Sequence, residues 1–79
     1  MTIAERTADE LADLARGHSG VSAGLSRFEQ IYDAYMIEAA GDLVDKRRAL
    51  LDAFRARSPG GELAAMIADR LGALPRWDA

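Results

Sequence analysis

The stretch LSRFEQIYDAYMIEAAGDLVDKRRALLDAFRAR, residues 25–57, decides the fold. At about 100° per residue, Leu25, Phe28, Tyr32, Met36, Ala39, Leu43, Leu50 and Phe54 fall on one helical face. Ile31 and Tyr35 widen that face early, and Val44 and Leu51 widen its opposite edge later. Apolar spacings of three and four, with few β-branched residues, read as helix rather than strand. Ser26 and Glu29 form a capping box that opens the segment, with Ser22 an alternative start one turn earlier. The pattern predicts one long central helix over about residues 26–57. Gly41 is its weak point, costing ~1 kcal/mol relative to alanine. It marks a kink, a close helix crossing, or a break recapped by Asp42.

A helix of that length spans ~46 Å at 1.5 Å per residue. A compact chain of 79 residues is about 30 Å across. The rod therefore overhangs unless it bends or a second copy covers it. Its acids come first (Glu29, Asp33, Glu38, Asp42, Asp45) and its bases second (Lys46, Arg47, Arg48, Arg55, Arg57). An antiparallel pairing would set each acidic half against a basic half, so a homodimer is expected.

Two short helices flank the rod. The first, about residues 3–16, starts at Thr2 or Thr7, each with a glutamate three residues on, and buries Ile3, Leu11, Leu14 and Ala15. Gly17 ends it, and GHSG is the connection that follows. The other, about residues 59–73, is capped by Ser58 and opened by Pro59. It carries Leu63, Met66, Ile67, Leu71 and Leu74 at helical spacing, with Arg70 interrupting the stripe, and Pro75 stops it. Residues 75–79 form a tail bearing Trp77, the lone tryptophan. The expected fold is all-α: a single helical domain over residues 1–79, three helices with the long one central, either bent at Gly41 or straight and covered by a second copy.

There are no cysteines, which removes disulfides and thiolate metal sites and fits a reducing cytoplasm. The apolar runs are too short for a membrane span, and no basic-then-apolar leader opens the chain, so a cytoplasmic protein away from membranes is expected. Arginine stands in place of lysine at nearly every basic position, a codon bias that suggests a GC-rich bacterium or phage. Net charge is −3.

The segment GHSGVSAGLSRFEQ, residues 17–30, imitates the turn and second helix of a DNA-reading helix-turn-helix. With Gly20 as the turn glycine, however, Arg16 stands where a small residue is needed and Ser26 where an apolar one is needed. The acidic segment that follows repels phosphate, so GHSGVSAG is read as a flexible connection and direct nucleic-acid binding is not expected. The basic run disperses around the helix and forms no stripe. Arg47 projects among Leu43, Leu50 and Leu51; it either snorkels or holds an interface with a carboxylate such as Asp69 or one from another chain. Glu38, Asp42 and Asp45 lack the surrounding oxygens a hard cation needs, and His18 has no nucleophile beside it. No catalytic residue, metal or cofactor is expected.

The expected function is a protein–protein interaction module: a small acidic regulatory, adaptor or inhibitor subunit, in one form a phage-type inhibitor covering a basic nucleic-acid channel. Its candidate contact residues are Glu29, Tyr32, Asp33, Tyr35, Met36, Glu38, Asp42, Asp45, Arg47 and Trp77, combining acids with the aromatic and methionine side chains enriched at binding hot spots. The alternatives are a small DNA-associated transcriptional regulator, and a helical enzyme with an inter-subunit anion site built from Arg27, Lys46, Arg47 and a tyrosine.

Overall fold

A computed structural model describes residues 1–17, 20–57 and 59–73. Among these the chain forms four helices, not three: α1 (Ile3–Gly17), α2 (Val21–Glu38), α3 (Leu43–Ala56) and α4 (Glu62–Gly72). The all-α class holds, and the described residues contain no strand. The three-helix arrangement and the continuous central helix do not hold.

The expected rod breaks at residues 39–42. Ala39 is extended and its N–H donates to Tyr35 O, closing α2. Gly41 takes φ +114°. Asp42 then caps α3, its carboxylate accepting from the Asp45 N–H at 2.8 Å. Gly41-Asp42 thus supplies both halves of a helix break: a residue with no β-carbon to oppose positive φ, and an N-cap worth ~1 kcal/mol. Helical phase is reset across the corner. Leu43 and Val44, expected on the apolar stripe, are 37% and 39% exposed, while Leu50, Leu51 and Phe54 return to the core.

Two side chains staple the corner. Lys46 on α3 reaches back and donates from Nζ to Met36 O (2.7 Å) and Ala39 O (3.1 Å). It places a cation at the carbonyl end of α2, where the helix dipole favours one. Tyr35 on α2 reaches forward, its hydroxyl donating to Lys46 O at 2.6 Å. Burial pushes the Tyr35 phenol above its ordinary value of 10.0, with Tyr32 adding to the effect.

The other helix ends also differ from expectation. At α1 the outer of the two capping boxes forms: the Glu5 N–H donates to Thr2 Oγ1 (3.1 Å) and the Thr2 N–H to Glu5 Oε1 (2.8 Å). Thr7 is buried within the helix. α2 starts at Val21, so Ser26 lies inside it, and the expected connection VSAG is its first turn. Gly24 gives room there, because a β-carbon would run into the side chain of Leu63 where α2 meets α4. α4 starts at Glu62 after Gly61, which takes φ +100°, so Pro59 precedes the helix instead of opening it. His18, Ser58, Leu74, Pro75 and Trp77, to which the sequence assigned roles, lie outside the described residues.

α1 packs on both α2 and α3, and α4 on the same two, while α2 and α3 diverge from the corner with the slightest contact of any pair. The result is two helix layers measuring 33 × 33 × 20 Å. Ala8 and Leu11 of α1, Phe28, Ile31 and Tyr35 of α2, Leu50, Leu51 and Phe54 of α3, and Leu63, Ala64, Ile67 and Leu71 of α4 form one core. The overhang that motivated a second copy is absent, since α1 and α4 shelter the central stripe. The exposed ion pairs Arg6–Glu38 and Arg27–Glu10 tether α1 to α2, each worth ~0–1 kcal/mol, and the part-buried pair Arg57–Asp9 ties α1 to the end of α3. No helix among the described residues is long and apolar enough to cross a membrane.

Gly41→Ala forces a β-carbon into a positive-φ position and is expected to cost ~1–2 kcal/mol, lowering the thermal midpoint by ~5–10 °C. A midpoint that stays or rises would show that the chain prefers the straight helix. Alkaline titration probes the staple. The Tyr35 phenol titrates higher folded than unfolded, so its contribution is complete below pH 10.0 and declines as pH rises through the folded value. In melts taken above pH 10.0, Tyr35→Phe should lose less stability with each increment than the parent; equal slopes would count against a buried, hydrogen-bonded phenol.

Candidate functional site

The break in the rod also divides the candidate residues. Lys46 and Arg47 are adjacent on α3, about 100° apart around its axis, and they serve opposite sides of the molecule. Lys46 turns to the corner. Arg47 turns to the junction of α3, the end of α4 and the middle of α2.

At that junction Phe28, Glu29, Tyr32, Asp33, Arg47, Arg70 and Ala73 line an open groove of about 430 Å³. α2 supplies four of them because Phe28 and Tyr32, and Glu29 and Asp33, are each one helical turn apart. Phe28 is buried and Tyr32 half-buried, their ring centres 5.8 Å apart and tilted by 31°, so they form an aromatic floor. Arg47 lies against it with its guanidinium carbon 5.7 Å from the Tyr32 ring centre. Such a stack contributes ~0.5–2 kcal/mol, more as water is excluded.

Arg47 Nη2 also donates to Arg70 O at 2.7 Å, one of the last carbonyls of α4, where a cation is favoured. Its Nε is buried with no acceptor. Arg70 points its own guanidinium across the groove to Glu29, with Nη1 and Oε2 3.7 Å apart. Asp33 is exposed and belongs to none of the ion pairs among the described residues. Burial raises the Tyr32 phenol above 10.0, with Arg47 opposing and Asp33 reinforcing the shift. The groove therefore has an apolar floor, an acidic wall from α2 and a basic wall from α3 and α4.

Of the ten residues singled out in the sequence, four meet here: Glu29, Tyr32, Asp33 and Arg47. Tyr35 is core, only 3% exposed, and serves the corner. Met36 is half-buried against the core, and its carbonyl is taken by Lys46. Glu38 faces Arg6 of α1 at 3.5 Å. Asp42 caps α3, and Asp45 lies in α3's first turn beside a separate depression with Lys46 and Ala49. Trp77 is outside the described residues. The five acids thus form no continuous strip, because the bend carries Asp42 and Asp45 away from Glu29 and Asp33.

Other expectations shift as well. Arg47 does more than snorkel, yet the acceptor it finds is a backbone carbonyl and not Asp69. The trio Arg27, Lys46 and Arg47 is not assembled within the chain: Arg27 pairs with Glu10 and donates to Gln30, and Lys46 is bonded at the corner. Sequence reasoning missed Phe28, Arg70 and Ala73 as site residues, placing Phe28 only on the apolar stripe. The signal for Arg70 was present, since an arginine at an apolar position of the last helix needs a reason to be there.

The chain matches no protein-family model, no curated protein and no solved structure.

Proposed function

We propose that the chain is a protein–protein interaction module, a regulatory, adaptor or inhibitor subunit, and that the α2–α3–α4 groove is its docking surface. The observation that carries this reading is the meeting of Tyr32, Arg47, Glu29 and Asp33 around one open groove. Aromatic and arginine side chains are the types that contribute most at interfaces, and the charged walls give direction to what binds between them. Arg47 is held in place before any partner arrives, by the Tyr32 ring and the Arg70 carbonyl, which reduces the ordering cost of association.

Self-association was the other expectation from the sequence. It no longer draws on an overhanging rod; among the described residues the exposed large apolar side chains are Met1 at the start of the chain and Ile37, Leu43 and Val44, which flank the corner in sequence and are 87%, 37% and 39% exposed.

The test is a comparative capture from lysate of the source cells. The parent chain, Tyr32→Ala and the exposed control Asp52→Ala are immobilised at equal density after their helical content is matched by circular dichroism. A protein retained by the parent and by Asp52→Ala, and reduced at least ~10-fold on Tyr32→Ala, supports the groove as the docking surface. The same protein retained equally by all three refutes it.

A further inference from the structure

The walls of the groove are charged in opposite senses, and each wall keeps one charge that the fold has not neutralised. On the basic side, Glu29 faces Arg70, whereas Arg47 meets only a carbonyl and a ring face and has its Nε buried without an acceptor. On the acidic side, Asp33 has no ion-pair partner among the described residues. Between them lie Phe28 and Tyr32.

Resting on the docking reading above, we propose that the groove takes a partner segment in which an aromatic side chain is flanked by one basic and one acidic residue. The aromatic ring covers the Phe28–Tyr32 floor, which offers it offset or edge contacts. The basic residue sits against Asp33. The acidic residue meets Arg47, completing a guanidinium whose fork geometry suits a carboxylate better than the single carbonyl it now holds. A segment with acids on both sides of the ring would place one of them against Asp33, and a segment with two bases would place one against Arg47. The groove therefore selects by repulsion as well as attraction. Its volume of about 430 Å³ accommodates one aromatic side chain and the stems of its neighbours.

Three fluorescein-labelled peptides, acetyl-Ala-Arg-Trp-Asp-Ala-amide and its Glu-Trp-Glu and Arg-Trp-Arg counterparts, are titrated with the full chain by fluorescence polarisation. The Arg-Trp-Asp peptide is expected to bind saturably and at least ~10-fold more tightly than either uniform-charge peptide. Asp33→Asn is expected to erase the preference over the Glu-Trp-Glu peptide, and Arg47→Gln the preference over the Arg-Trp-Arg peptide. Asp33 is exposed, so its variant keeps the test valid even if Arg47→Gln disturbs the fold. Equal affinity for all three peptides, or an Asp33→Asn chain that keeps the preference over Glu-Trp-Glu, overturns the proposal; loss of all binding in Tyr32→Ala would then leave the docking groove standing without its charge selectivity. Residues 76–78 of the chain are themselves Arg-Trp-Asp, so a Trp77→Ala chain is titrated alongside; no saturable binding of the Arg-Trp-Asp peptide at millimolar concentration by either chain overturns the proposal as well.

Discussion

The bend at residues 39–42 is the constraint on which the other features depend. A straight α2–α3 helix would keep a few more backbone hydrogen bonds, each worth ~0.5–1.5 kcal/mol net. It would also hold Phe28, Ile31 and Tyr35 at one end and Leu50, Leu51 and Phe54 at the other, out of reach of a common core. Burying side chains of that size contributes ~1.5–3 kcal/mol each. Six of them outweigh a handful of hydrogen bonds, so a chain of this length bends. Gly41 and Asp42 make the bend cheap, and Lys46 and Tyr35 lock it by bonding across it in both directions.

The same bend determines where charge ends up. Consecutive cations on a helix point to different neighbours, and here each neighbour is the carbonyl end of another helix: α2 for Lys46, α4 for Arg47. Neither meets a carboxylate among the described residues. Half-burying a cation against neutral dipoles is weaker compensation than an ion pair. At the corner Lys46 has two carbonyls and is well served. Arg47 has one carbonyl, a ring face and an orphaned N–H, so the unspent interaction in this molecule is at the groove, not at the corner.

Much of the fold was legible in the sequence because it rests on local chemistry. The all-α class, the Thr2–Glu5 cap and the core positions Phe28, Leu50, Phe54 and Ile67 follow from propensity, capping and 3.6-residue spacing. The break at Gly41-Asp42 was legible only as one of three options. Choosing among them requires comparing hydrogen bonds kept with surface buried, and that comparison depends on what α1 and α4 can cover. Extrapolating one helical phase through residue 41 then misplaced Leu43 and Val44 and joined five acids into a strip that does not exist. Gly24 was misread for a related reason: a glycine that permits a close α2–α4 approach has the same local signature as one in a loop. Of the site, Tyr32 and Asp33, one helical turn from Phe28 and Glu29, were accessible from spacing. Arg70 opposite them showed only as an interruption of its helix's apolar stripe, because its place beside Arg47 is set by the packing of α4.

A core sheltered within one chain changes what association can be worth. An uncovered apolar stripe would make binding inseparable from folding and would favour an obligate assembly. The groove instead offers room for one or two side chains, ~1.5–3 kcal/mol each, together with charge contacts that are partly solvated and therefore modest. Against the ~4 kcal/mol or more that association costs in lost freedom, such a surface alone supports affinities far weaker than those of obligate complexes. Because the core is complete within one chain, an occupant of the groove would be needed neither to finish the fold nor to undo it on leaving.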